Sequence, residues 1–232
     1  MDDSYLYSMN DFFKESRMYI SKGCPTISLM LIAVLFAGSA WGAAPLDPKI
    51  KKQLDEGKIL TNIEQNPLTK VYAPTGQAVV DAPVEDVWHV IIDFNSFGEF
   101  MPNTIFYKPA GWKDGKLFVD CRIKVALLTM DYQLSYIIDE KSHTTYWFYI
   151  KGPIRDCQGY FRVEPYESGR SLVTYTTTVE VGKAVPGFIE KALSKSTFPK
   201  IFESLRKRVF DLRQKGPIAK PVITTKPYSE NL

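Results

Sequence analysis

From residue 104 to residue 181, apolar and polar residues alternate along most of the chain, and short polar turns interrupt the pattern. Alternation with a period of two predicts β-strands that have one buried face and one solvated face. Turns as short as 113–115 and 151–153 require hairpins, so the strands should form an antiparallel meander. The predicted strands are 104–112, 116–127, 130–138, 144–150, 154–165 and 171–181.

Helical spacing of apolar residues is found on both sides of this meander. Residues 75–82 predict one more strand, and Val84, Val87 and Ile91 then predict a helix with one buried face. After the meander, an apolar stripe along 186–213 predicts a long helix with a kink at Pro199. The predicted fold class is therefore α+β: a curved antiparallel sheet of about seven strands wrapped around a long C-terminal helix.

The N-terminal part of the chain has a pattern typical of export. Residues 26–41, TISLMLIAVLFAGSAW, carry no charge, and Ala40-Trp41-Gly42 has the small residues that precede a cleavage site. We expect a signal peptide over 1–42 and a bacterial periplasmic location. A retained membrane anchor is the alternative, although the run is shorter than the ~20 residues of a span. The acidic residues of 1–17 suit a signal peptide poorly, so Met18 is the better start.

The domain boundaries follow from changes in composition. Residues 43–73 are predicted to be an N-terminal extension with a short helix that begins at Asp47-Pro48 and ends at Gly57. Residues 74–213 are predicted to form the folded domain. Residues 214–232, which contain three prolines among Lys and Thr, are predicted to be a flexible tail.

Charge and cysteine content narrow the class of protein. A net charge of +3 is too small for a nucleic-acid-binding protein, so we expect no nucleic-acid partner. The segment from Lys183 onward is basic, which indicates either peripheral contact with anionic lipid headgroups or, as we favour, a solvated helix face. In an oxidising compartment, Cys121 and Cys157 could form a disulfide or remain two buried thiols.

The sequence offers little catalytic chemistry. It contains only 2 histidines: His89 lies on the polar side of the first helix with Glu85 and Asp86, and His143 lies in a turn. We expect both to be solvated. No nucleophile is placed for a hydrolytic triad, no Cys/His spacing indicates zinc, and no glycine-rich phosphate loop is present. We therefore expect no catalytic residue, no metal and no cofactor.

The order of elements resembles the helix-grip arrangement of the START-like superfamily, also known as SRPBCC. It is most similar to the polyketide cyclase and coenzyme Q-binding START-type branch. The resemblance depends on DAPVEDVWHVIIDFNSFGEFMP at 81–102, GYFRVEP at 159–165, LVTYTTTVE at 172–180 and PGFIEKALSKSTFPKIFESLRKRV at 186–209. It implies an internal hydrophobic cavity of the kind used to bind lipids, sterols, quinones or polyketides, but it does not identify the ligand.

A sheet that grips a helix has a ligand site wherever its side chains leave space unfilled. The residues expected to line such a site are Cys121, Ile123, Leu134, Tyr136, Cys157, Phe161 and Tyr175 in the sheet, Phe188, Ile189 and Leu193 in the long helix, and Phe97, Phe100 and Met101 at a mouth. Plain core packing is the alternative for each of them, because any core shows the same spacing.

Three functions remain open. We favour binding or transport of a hydrophobic small molecule (a lipid, a sterol or hopanoid, or a quinone-like molecule) in the cell envelope. The alternative is an aromatase/cyclase acting on a polyketide-like substrate. It needs a buried proton-transfer group, for which the candidates are Arg155, Asp156, Asp93 and Glu99. A partner-binding module without a ligand would instead show an exposed aromatic patch around Trp147.

Overall fold

The computed structural model describes residues 46–68, 72–125, 127–180, 197–223, 225, 227 and 228. The helices are α1 (Pro48–Asp55), α2 (Val84–Ile92), α3 (Phe97–Phe100) and α4 (Thr197–Arg213). The strands are β1 (Leu60–Gln65), β2 (Tyr72–Val80), β3 (Thr104–Lys113), β4 (Lys116–Val125), β5 (Leu128–Asp139), β6 (Thr144–Lys151), β7 (Asp156–Tyr166) and β8 (Arg170–Glu180). Short 3-10 turns, Phe94–Ser96 and Glu167–Gly169, precede α3 and β8.

The strands form one antiparallel sheet of 8 strands in the order β1-β2-β8-β7-β6-β5-β4-β3. Strands β3 to β8 are joined in sequence as hairpins, which confirms the predicted meander. Pairing of β2 with β8 joins the first two strands to the meander, and β1 and β3 are the two edges of the sheet. Its additional strand is β1, which lies within the predicted N-terminal extension and pairs with β2. The α+β helix-grip prediction is thus confirmed, with one strand more than expected.

Helices α2 and α4 contribute to the core that lies on the inner face of the sheet. Val84, Val87 and Ile91 of α2 are buried as predicted, and Phe202 and Leu205 of α4 belong to the same hydrophobic cluster. The start of the predicted long helix, over 186–196, lies outside the described residues, so the kink at Pro199 stays a prediction. No helix in the described ranges is both long and apolar enough to cross a membrane.

The outer face of the sheet differs from the prediction of a solvated surface, because two other segments cover parts of it. Leu54 of α1 packs with Val79 and Leu172. Farther along the sheet, Tyr228 stacks on Phe118 with ring centroids 4.0 Å apart and donates a hydrogen bond to Gln133 Oε1 at 2.7 Å. Gln133 is consequently buried although it lies on the polar face.

The segment after α4, predicted to be a flexible tail, makes specific contacts where the structure describes it. The backbone N–H of Ile218 donates to Asp86 Oδ1 at 3.0 Å, and His89 Nδ1 lies 2.7 Å from the Ile218 carbonyl oxygen. Asp86 also forms an ion pair with Arg213 at 3.0 Å. Asp86 is therefore buried and His89 half-buried, whereas sequence analysis placed both in solvent. His143, also expected in solvent, is half-buried and lies edge-on to the Trp88 ring, with centroids 5.7 Å apart.

Candidate functional site

A cavity of about 120 Å³ lies between the inner face of the sheet and α2, α3 and α4. An engineered apolar cavity of ~150 Å³ stays dry and binds benzene. The space here is slightly smaller, about the size of one small ring. Its described walls are Ile91, Phe94, Phe97, Met101, Pro102, Asn103, Thr104, Tyr107, Ile123, Met130, Tyr132, Leu134, Tyr136, Thr145, Trp147, Ile154, Cys157, Phe161, Tyr175, Thr177, Val179, Phe198 and Ile201. The side chains of the described residues therefore leave part of the core unfilled.

Many of the residues predicted from sequence lie in the walls of this cavity. They are Phe97, Met101, Ile123, Leu134, Tyr136, Cys157, Phe161 and Tyr175. Phe100 and Cys121 do not line it. Phe100 packs against Phe97 and has the Arg208 guanidinium 5.7 Å from its ring centroid, and Cys121 is buried with its Sγ donating to the Val119 carbonyl at 3.5 Å. The other three, Phe188, Ile189 and Leu193, lie outside the described residues.

Other wall residues were not predicted from the sequence, for identifiable reasons. Tyr107 lies in β3, whose register with β4 shifts near Phe106 and again near Gly111, so simple alternation does not predict which way it points. In β6 the run TTYWFYI is aromatic on both faces. The pattern alone does not decide which of them points inward. The structure directs Trp147 inward with an exposed fraction of 5%, so the exposed aromatic patch that a partner-binding module would show is not found at Trp147.

The wall formed by β6, β7 and β8 is aromatic. The ring centroid of Trp147 lies 5.8 Å from that of Phe161 and 5.6 Å from that of Tyr175, and Phe161 and Tyr175 are 4.5 Å apart. Trp147 lies against Gly159 of β7, where the Cβ of any larger residue would collide with the indole ring. Gly159 therefore allows this wall to form.

Hydroxyl and thiol groups supply the titratable groups of the described walls. The Tyr107 and Tyr132 hydroxyls form a hydrogen bond of 3.0 Å. Burial, and to a smaller extent nearby ionisable groups, raise the pKa of both well above the ordinary value. Burial also raises the pKa of the Cys157 thiol to about 12. Cys121 and Cys157 are both free, buried cysteines, and all four groups are protonated at neutral pH.

No charged side chain lines the cavity among its described walls. The groups considered for proton transfer lie elsewhere: Arg155, Asp156, Asp93 and Glu99. Arg155 pairs with Glu180 at 3.1 Å, and Glu99 pairs with Arg208 at 2.8 Å. Within the described part of the chain, no group of three or more His, Cys, Asp or Glu residues is placed to hold a metal ion.

This fold and cavity are those of a helix-grip protein, and a family model agrees. The model described as polyketide cyclase / dehydrase and lipid transport matches residues 75–209. Because the match covers more than half of the chain, the protein belongs to this family, which is part of the START-like (SRPBCC) superfamily. A comparison with curated proteins gives no match.

Solved structures show the same fold at low sequence identity. Human StAR-related lipid transfer protein 5 is 11% identical, with a TM-score of 0.55 over 68% of this chain and 84% of that one. The STAR-related lipid transfer protein of Xanthomonas axonopodis is 16% identical, with a TM-score of 0.51 over 66% and 93%. A START superfamily protein from Mycobacterium smegmatis is 18% identical, with a TM-score of 0.52 over 60% and 97%. Identities this low establish the shared fold alone.

Proposed function

We propose that this protein binds a hydrophobic small molecule in the cavity and carries it within the cell envelope. The observation that supports this most strongly is the unfilled space of about 120 Å³ enclosed by aromatic and aliphatic side chains. Such a space offers water few hydrogen-bond partners, whereas an apolar guest gains contacts that the empty protein lacks. The family description includes lipid transport, and two of the similar structures are named lipid transfer proteins. A space of about 120 Å³ holds one ring or a short chain, so a lipid, a sterol or hopanoid, or a quinone-like molecule would place one end of its apolar part in it.

Organic extraction of the purified protein followed by mass spectrometry tests this function. We expect a small apolar molecule to be extracted from the wild type but not from Cys157→Phe, because the added ring occupies the cavity. Phe210→Ala is the control, since Phe210 lies on α4 with an exposed fraction of 64% and does not line the cavity. Absence of any extracted molecule, combined with no binding of added apolar ligands, would contradict the proposal.

The cavity favours binding over aromatase/cyclase chemistry. A cyclase of this kind moves protons with a group whose pKa is close to the working pH. In the described walls, the titratable groups are tyrosines and a cysteine. Burial raises the pKa of Tyr107, Tyr132, Tyr136 and Cys157, which keeps these groups protonated. They can donate hydrogen bonds to a guest, but they are poor general bases at neutral pH.

A hairpin beside the cavity supports a further part of the proposal, peripheral membrane contact. Leu127, between β4 and β5, has an exposed fraction of 98%, and the adjacent Leu128 is 37% exposed. Lys124 is exposed on the same hairpin, whose Ile123 and Met130 line the cavity. Two leucines and a cation suit insertion into a bilayer that carries anionic headgroups. The C-terminal helix is a weaker candidate, because its cations make contacts within the domain, as in the pairs Arg208–Glu99 and Arg213–Asp86.

Flotation with vesicles of phosphatidylcholine, with and without phosphatidylglycerol, tests the membrane contact. We expect Leu127→Asp to reduce the fraction of protein that floats with the vesicles, and anionic lipid to increase it for the wild type. The control, Phe210→Asp, places the same charge at an exposed aromatic residue on α4. Equal flotation of the two variants would contradict a role for this hairpin.

We also infer that the protein acts outside the cytoplasm. The uncharged run at 26–41 and the small residues Ala40 and Gly42 support export. Cell fractionation combined with N-terminal sequencing of the mature protein tests this inference. A mature chain that begins near Ala43 in the periplasmic fraction is expected, whereas an intact chain in the cytoplasmic fraction would contradict it.

A further inference from the structure

Thr145 is buried in the cavity wall without a hydrogen bond. Its exposed fraction is 1%, it lines the cavity, and its Oγ1 has no hydrogen-bond partner among the described residues. A buried hydroxyl that is left unpaired is destabilising, and such groups are rare in folded proteins. The neighbouring Thr144 makes the contrast clear, because it is equally buried but donates to the Ser142 carbonyl at 3.0 Å.

The surroundings of Thr145 indicate what would pair with it. In the sheet, Thr145 lies directly opposite Phe161 of β7, and Trp147 is the next inward residue of β6. Its hydroxyl is therefore an unpaired polar group next to an aromatic wall. A threonine hydroxyl both donates and accepts, so it can pair with an alcohol, a phenol or a carbonyl oxygen.

The charge of the cavity narrows the class of guest further. Because the described walls contain no cation, a carboxylate or phosphate placed here would lose its hydration without gaining an opposite charge. Thr145 pairs with Ile138, which is near the C-terminal end of β5. Met130, which lies beside the β4–β5 hairpin, is near the other end of the same strand. An oxygen atom bound at Thr145 is thus carried at the end of the cavity distant from the β4–β5 hairpin.

From these observations we propose that Thr145 Oγ1 is the polar recognition point of the cavity. The guest is a neutral, mostly apolar molecule with a hydroxyl or carbonyl oxygen at the end that lies farthest from the β4–β5 hairpin. This proposal depends on the proposed binding function and specifies the class of ligand. The oxygen atom of the guest would be the hydrogen-bond partner of the Thr145 hydroxyl, and it is present only in the bound state.

Calorimetric titration of the full chain with toluene, p-cresol and p-toluate tests the proposal, because these probes differ by a single substituent on a ring that fits the cavity. We expect Thr145→Val to weaken p-cresol binding about fivefold, the effect of one neutral hydrogen bond, while toluene binding stays the same. Thr144→Val is the matched control and should leave both affinities unchanged. We expect p-toluate to bind more weakly than p-cresol.

The stability of the empty protein provides a second measurement on the same variants. Replacing an unpaired hydroxyl by a methyl group should leave the thermal unfolding midpoint of Thr145→Val at or above that of the wild type. Thr144→Val should lower the midpoint, since it removes a hydrogen bond that is made.

The possible outcomes separate this proposal from the one on which it depends. If toluene binds and Thr145→Val changes the p-cresol affinity no more than Thr144→Val does, the recognition point is wrong and the binding function stands. If p-toluate binds as tightly as p-cresol, the neutral class is wrong. If none of the probes binds and no molecule is extracted from the protein, the binding function itself fails.

Discussion

Over β2, the inner face of the sheet is in direct contact with α4, whereas over β4 to β7 it borders a cavity. At Gly76 of β2, an added Cβ would lie 2.6 Å from Phe202 and 2.8 Å from Phe198. We call Gly76, Ala78, Val173, Phe202 and Leu205 the packed region, because all five are buried and none lines the cavity. The strand residues of the packed region and those that line the cavity lie on the same apolar face of the sheet. How closely the helix approaches the strands therefore decides whether apolar residues form a solid core or a binding site.

The largest effect is expected in the packed region. Phe202→Ala removes a fully buried ring and should lower the free energy of unfolding by about 3–5 kcal/mol, measured by urea denaturation. Phe210→Ala, on the exposed side of the same helix, should change it by less than about 0.5 kcal/mol. Equal losses for the two variants would show that α4 does not hold the sheet through Phe202.

Larger side chains introduced in the packed region and beside the cavity test directly whether the two have different amounts of free space. Gly76→Val adds a side chain where Phe202 and Phe198 leave no room, and overpacking of this kind should cost about 1–3 kcal/mol. Cys157→Phe adds a larger group on the same face, but beside the cavity, so we expect a smaller loss of stability together with loss of ligand binding. Urea denaturation and the p-cresol titration measure the two effects. A greater loss of stability for Cys157→Phe than for Gly76→Val would mean that the cavity cannot accept a ring.

Alkaline pH should destabilise the protein through the region around the cavity. Burial raises the pKa of the Cys157 thiol from 9.0 to about 12. Below the ordinary value, both states keep the proton and stability does not depend on this group. Above it, the unfolded chain releases the proton while the folded protein keeps it, so the free energy of unfolding falls as pH rises. At one pH unit above the ordinary value, the loss is about 1.4 kcal/mol.

Urea denaturation from neutral pH to about pH 10 checks this slope. We expect Cys157→Ala to show a shallower decrease in unfolding free energy than the wild type, whatever its stability at neutral pH. Some decrease should persist, because burial also raises the pKa of Tyr107 and Tyr132. A variant with the same slope as the wild type would show that Cys157 is not protected from ionisation.

The sequence predicted the faces of regular strands well because their period is constant. Ile123, Leu134, Phe161 and Tyr175 all line the cavity on the face that alternation assigned to them. The same rule failed for Tyr107, since the register shifts of β3 change which side chains face inward. The cavity itself could not be predicted, because apolar residues alternate in the same way whether they pack against other side chains or border an empty space.

Hydrophobic periodicity also did not predict which polar residues would be buried on either face of the sheet. Thr145 is polar yet lines the cavity, and Gln133 is buried on the outer face because Tyr228, distant in sequence, covers it. Asp86 is buried for a similar reason, through Arg213 and Ile218. Each of these cases depends on long-range contacts, which hydrophobic periodicity within a window does not contain.

The smallest expected effect compares two hydroxyl pairs, one on the outer face of the sheet and one at the cavity. Thr75 and Thr176, on β2 and β8, have their Oγ1 atoms 2.7 Å apart, and both residues have an exposed fraction of 1%. Tyr107 and Tyr132 form their pair of 3.0 Å at the edge of the cavity. Double-mutant cycles with Thr→Val and Tyr→Phe changes measure the coupling within each pair, which should be about 0.5–1.5 kcal/mol. We expect the weaker coupling for the tyrosines, because their rings border free space and can shift when one hydroxyl is removed, whereas the threonines are held by the pairing of β2 with β8. If the tyrosines couple as strongly as the threonines, the space beside them does not let them adjust.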